Sequence, residues 1–139
     1  MVLQLSIPAM PVQDITAAVA FYNEKLGFPA VHTDTDFAIV MRDAVELHLW
    51  AASDESWRTA PGEPHPVRSG AESFIAGTAS CRIQADEVDD LYAEYAAAQV
   101  LHPTDHGSPV ETEWGTRELA ALDLEGNLLT FFARREVLG

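Results

Sequence analysis

His48, Glu46 and Trp50 alternate along Val45-Glu46-Leu47-His48-Leu49-Trp50. In an extended strand, residues two apart share a face, so this spacing turns an imidazole, a carboxylate and an indole the same way. The trio can hydrogen-bond a ligand in a pocket wall or contribute to a metal set, and His48 can equally be a satisfied histidine with no ligand. A second chemistry is suggested where aromatic rings adjoin carboxylates, in Thr33-Asp34-Thr35-Asp36-Phe37-Ala38 and in Glu111-Thr112-Glu113-Trp114-Gly115. Rings of this kind stack on flat conjugated ligands, and carboxylates beside them favour a cation. Phe37 shares its strand face with Ile39 and Met41 and could belong to the core. Trp114 sits in a Glu- and Gly-rich loop, where a large apolar side chain has less reason to exist for packing.

The remaining histidines, His32, His65, His102 and His106, show no metal-binding spacing, and only His32 lies near the Phe37 segment. Cys81 has no partner in the chain, so a small apolar filler in a reducing cytoplasm is the expected reading. The first residues lack a basic n-region and an apolar run long enough for a secretion signal, and nothing approaches a membrane span. The chain has 139 residues, with 22 Asp and Glu against 8 Lys and Arg and a net charge of -14. That balance argues against nucleic acid and anionic lipid, and leaves a cationic ligand or plain solubility.

The elements that would position these groups come in two similar runs. Leu3, Leu5 and Ile7 alternate as a half-buried strand that Pro8 and Pro11 end or bend. Asp14 is placed to cap a helix carrying Ile15, Val19, Tyr22 and Leu26, with Gly27 at its end. Strands follow over 28–32, 37–41 and 45–50, with a tight turn at Arg42-Asp43-Ala44. Residues 53–77 form a long Pro- and Gly-rich loop containing Trp57 and Phe74, which could wall a groove or tack the loop to the sheet. The second run has a strand over 78–84, a helix over 87–99 and strands over 100–103, 116–123 and 128–133. Residues 39–51 align without gaps on 121–133. Two such small units share one core, so the expected class is α+β: a single domain, 1–139, of two tandem βαβββ modules (about 1–66 and 67–139). Their strands form a curved mixed sheet with a concave ligand cup.

Val12-Gln13-Asp14-Ile15, Ala20-Phe21-Tyr22, Lys25-Leu26-Gly27-Phe28 and Asp123-Leu124-Glu125-Gly126-Asn127 resemble the glyoxalase/bleomycin-resistance, or vicinal oxygen chelate, superfamily along the whole chain. The resemblance implies one of two classes. Its metal enzymes (glyoxalase, dioxygenase or thiol-transferase type) need four converging ligands, which by offset fall here at Ile7, His48, Ser80 and Thr130. Only His48 is a metal-binding type, so neither catalytic residue, metal nor cofactor is expected. Its bleomycin-resistance proteins hold a drug between rings, and the segments carrying Asp36-Phe37, Glu113-Trp114-Gly115 and Glu72 to Ser80 resemble theirs. The expected ligand residues are therefore His32, Asp36, Phe37, His48, Trp50, Phe74, Ser80, Glu113, Trp114 and Gly115. The implied partner is a cationic glycopeptide antibiotic, bleomycin with or without bound metal, sequestered unmodified. A cytoplasmic homodimer is implied as well, its first strand either retained or exchanged across the two-fold axis.

Overall fold

The computed structural model describes residues 1–52 and 75–135, and its first module opens with a short strand, β1 (Ala9–Val12). Asp14 then caps helix α1 (Ile15–Phe21), its Oδ1 accepting the Ala17 N–H at 3.0 Å. The helix widens into a π-helical turn over Tyr22–Leu26 and stops at Gly27, where φ is 78°. A side chain there would be strained, and its Cβ would come within 2.6 Å of the Arg42 guanidinium. Strands β2 (Ala30–Thr33), β3 (Phe37–Arg42) and β4 (Val45–Ala51) run antiparallel in sequence, and β1 adds to β4 in parallel. The resulting order is β1-β4-β3-β2.

The second module repeats this plan with β5 (Ser80–Gln84), α2 (Val88–Ala98), β6 (Val110–Glu111), β7 (Thr116–Leu122) and β8 (Leu128–Arg134), ordered β5-β8-β7-β6. The class is α+β and the two βαβββ runs stand in tandem, hydrogen-bonded as two four-stranded mixed sheets, one per module. Met10, Val12, Ala38, Val40, Leu47 and Leu49 of the first sheet and Ile83, Leu119, Ala121, Leu129 and Phe131 of the second belong to one buried core. Tyr22, Leu26 and Tyr95 from the helical segments fill it. The Tyr95 hydroxyl donates to the Leu26 carbonyl at 2.7 Å, a bond that joins the modules inside that core. Period-two alternation then leaves the other face of each sheet for ligand chemistry.

Three expectations need correction. Leu3, Leu5 and Ile7 form no strand; Leu3 and Leu5 are 87% and 73% exposed. The edge of β4 is taken instead by Ala9–Val12, which drives Met10 and Val12 into the core. Pro11 is tolerated within β1 because an edge strand does not require every N–H. The strand expected over 100–103 shrinks to one bridge, Leu101 opposite Ala121, and the sheet edge resumes only at β6 opposite Arg117 and Glu118. Pro103, lacking an N–H, cannot extend the pairing.

The gapless alignment holds for β4 on β8 and fails for β3 on β7. Arg42 pairs with Val45 around a two-residue turn, whereas Leu122 pairs with Leu128 around five residues. Ile39 consequently lies on the face away from the core, while its aligned partner Ala121 is fully buried.

Candidate functional site

The face of the first sheet turned away from the core collects four of the expected residues. Phe37 and Trp50 are direct cross-strand partners, and their rings stack with centroids 4.3 Å apart and planes 30° from parallel. His48, two residues before Trp50 on β4, meets Phe37 edge-on at 5.1 Å and 82°. From β2, His32 borders the same ring at 5.6 Å. Phe37 is thus the centre of an aromatic patch, partly exposed, and does not belong to the buried core.

Carboxylates surround that patch. His48 Nε2 and Glu46 Oε2 are 2.6 Å apart, and His32 Nε2 lies 3.1 Å from Asp34 Oδ2. Asp34 Oδ1 also accepts the Asp36 N–H at 2.9 Å, which pins the turn that leads into Phe37. This backbone bond first, and the His32 ring second, hold the Asp34 carboxyl below its ordinary range, so it stays charged. Asp36 is exposed at the rim of the patch. The surface can stack a planar group and attract a cation.

Glu113, Trp114 and Gly115 occupy the β6–β7 turn of the second module, where Trp114 is 69% exposed. Gly115 has φ of 88°, the left-handed conformation that lets this tight turn close. Thr112 and Thr116 lock its base through hydroxyls 2.7 Å apart and a 2.9 Å backbone bond. Ser80 is exposed at the start of β5, on the face away from the core. Trp114 and Ser80 belong to the second module, and the Trp114 indole approaches Glu118 of that same module at 3.4 Å and not the Phe37 patch. Phe74, like Trp57 and the 66/67 module boundary, lies outside the described residues.

Two residues of the second face, Arg82 and Phe132, were missed from sequence, whereas Glu118 lies beside Trp114 as its spacing suggested. Arg82 places its guanidinium carbon 4.7 Å from the Phe132 ring centroid and clamps Glu118 through both terminal nitrogens. Alternation from Ser80 and from Thr130 would have pointed to Arg82 and Phe132. Their register with Glu118 depends on the longer β7–β8 turn.

Of the four offset positions for a metal, Ile7 precedes β1 and His48 stands opposite Ile39 and Ala9. Thr130 stands opposite Ala120 and Arg82. Among the described residues no three His, Cys, Asp or Glu side chains are grouped as a ligand set. Cys81 is half-buried against the core, and burial, aided by Asp123, pushes its thiol up to about 11. A thiol so shifted is a poor nucleophile. A separate cavity of about 740 Å³ lies between the modules, bordered by Arg42, Asp43, Asp86, Asp90 and Glu94, and includes none of the expected ligand residues. Among the described residues no helix is long and apolar enough to cross a membrane.

The sequence profile of the Glyoxalase/Bleomycin resistance protein/Dioxygenase superfamily matches residues 4–131. The chain belongs to this superfamily. Within it, bleomycin resistance proteins of Geobacillus stearothermophilus and Staphylococcus aureus are 47% identical over 127 residues, covering 91% of this chain and 94% of theirs. A bleomycin-binding protein from bleomycin-producing Streptomyces verticillus, solved with copper(II)-bleomycin, superposes with a TM-score of 0.68 at 28% identity, over 96% of this chain and 98% of that one. A second bleomycin-binding protein, complexed with bleomycin, gives a TM-score of 0.67 at 25% identity, over 96% of this chain and all of that one. The superfamily's name joins enzymes to resistance proteins, so membership alone does not choose between catalysis and binding.

Proposed function

We propose that this chain binds bleomycin-family glycopeptide antibiotics and sequesters them without chemical change. The observation that carries this reading is the Phe37–Trp50 stack bordered by Asp34, Asp36 and Glu46, in a chain 47% identical to bleomycin resistance proteins. Each aromatic face contributes about 0.5–1.5 kcal/mol to a stacked ring beyond the area it buries. The net charge of -14 raises the local concentration of a cationic drug and its on-rate, most strongly at low salt. No residue is given a catalytic role, and protection scales with the amount of protein made.

The ligand residues in this reading are His32, Asp36, Phe37, His48 and Trp50 from the first module, and Ser80, Glu113, Trp114 and Gly115 from the second, with Phe74 added. A cytoplasmic homodimer completes the groove, one protomer's Phe37 face meeting the partner's Trp114 face. The exposed alternation of Leu3, Leu5 and Ile7 supports exchange of the N-terminal segment, because it suits a strand that finds its partner on a second copy. Titration with metal-free and copper-loaded bleomycin tests the reading: saturation at one drug per chain supports it. A stoichiometric divalent metal in the purified protein, with turnover of a substrate, would favour an enzyme.

A further inference from the structure

The second sheet presents two arginines on one aromatic ring. Arg82 lies 4.7 Å and Arg134 5.5 Å from the Phe132 centroid, both on the face away from the core. Arg134 has no ion pair among the described residues. In a chain carrying 22 carboxylates, like charges gathered over one ring are not explained by solubility.

Arg82 is also held in a fixed orientation. Its Nη1 and Nη2 donate to Glu118 Oε1 and Oε2 at 3.2 and 2.5 Å, and Glu118 accepts the Thr116 hydroxyl at 2.6 Å. The Trp114 Nε1 approaches the same Oε2 at 3.4 Å, so the indole and the guanidinium are neighbours around one oxygen. The Arg82 pair, then the Thr116 hydroxyl, holds the Glu118 carboxyl below its ordinary range, which keeps the clamp charged near neutral pH. Even so, Arg82 remains 49% exposed, with N–H groups not used by Glu118 free to donate. A flat cation fixed on a ring beside an exposed tryptophan costs little to order when a ligand arrives.

We propose that Arg82, laid on Phe132 and clamped by Glu118, is a ligand-contacting, specificity-determining residue beside Trp114, taking a planar, acceptor-bearing part of the ligand and not its cationic end. A guanidinium stacks face-on with a conjugated ring and donates from its edge to amide or sugar oxygens, both of which a glycopeptide carries. The same charge repels a cationic tail, which is left to the carboxylates around Phe37. Arg82 thereby fixes which end of the ligand lies where.

This inference rests on the proposed binding of bleomycin, and the sign of one substitution separates the two. Removing a cation from an acidic groove should, through the general field alone, tighten the binding of a cationic drug. The Arg82 contact requires the opposite: Arg82→Gln weakens bleomycin binding about tenfold in a fluorescence titration, with the melting temperature little changed. Arg82→Lys keeps the charge and loses the plane, and recovers only part of the affinity; Glu118→Gln frees the guanidinium and weakens binding as well. Wild-type or tighter binding by Arg82→Gln overturns the inference while leaving the bleomycin reading intact. If Arg82→Gln does not fold, Arg82→Lys decides, and wild-type affinity there overturns it. Failure of the wild-type protein to bind bleomycin removes both.

Discussion

The Tyr22 hydroxyl donates to Asp123 Oδ2 at 2.7 Å, bridging 101 positions of chain and both modules. The same carboxylate accepts the Asn127 side chain at 2.8 Å and the backbone N–H groups of Glu125 and Asn127 at 2.9 Å. Asn127 continues the network to the Pro11 carbonyl, also at 2.9 Å. The turn before β8 is therefore locked to the π-helical turn after α1 and to β1 of the other module, and this sets how the two ligand-bearing sheets are held. All three side chains are buried, so each bond counts for more than on the surface.

Tyr22→Phe removes the hydroxyl and leaves Asp123 with one donor fewer. The expected cost is about 1.5–3 kcal/mol, the range for a hydrogen bond to a charged group, read as a lower urea midpoint at unchanged slope. An unchanged midpoint would show that the network does not hold the modules together. Burial, and then the Asp123 charge, raise the Tyr22 hydroxyl well above its ordinary value. The folded state therefore keeps that proton where the unfolded chain loses it, so stability falls as pH rises above about 10. Tyr22→Phe should flatten this alkaline loss.

Acid acts through Glu94. Arg42 donates to its two oxygens at 2.6 and 2.8 Å, and this pair lowers the Glu94 carboxyl from its ordinary value. The stability contributed is complete above the unfolded pKa of about 4.3 and disappears as pH falls through the lower folded value. Because Glu94 is 44% exposed, the contribution is small, about 0.5 kcal/mol. The stability difference between wild type and Glu94→Gln should be measurable at pH 7 and should close toward pH 3. A difference that persists at pH 3 would contradict this assignment.

Phe37→Leu keeps an apolar side chain opposite Trp50 and removes the ring. Bleomycin affinity should drop about tenfold, with a much smaller change in melting temperature, because the ring is only partly buried. Equal affinity would mean that Phe37 only packs against Trp50.

Leu5→Asp puts a charge in the N-terminal segment, where Leu5 is 73% exposed. If that segment pairs with a second copy, the variant should sediment as a monomer of 15.2 kDa at concentrations where the wild type has about twice that mass. Identical sedimentation of the two proteins would rule out an exchanged N-terminal strand.

The Phe37 patch was legible in the sequence because two local rules suffice for it. Alternation assigns Glu46, His48 and Trp50 to one face, and the short turn at Asp43 sets the register that brings Phe37 opposite Trp50. The Arg82, Glu118 and Phe132 assembly obeys the same alternation but was not legible. It needs the parallel register of β5 on β8 and a five-residue turn between β7 and β8, and neither follows from side-chain type. Leu3, Leu5 and Ile7 show the converse: a strand pattern without a partner among the described residues makes no strand.

Drug sequestration is decided by titrating the protein with bleomycin, metal-free and copper-loaded, while following tryptophan emission. Quenching should saturate at one drug per chain, weaken as salt is raised and be sharply reduced in Trp114→Ala, and the drug should be recovered unaltered. Absence of binding at micromolar drug, or recovery of a chemically modified drug, would contradict it.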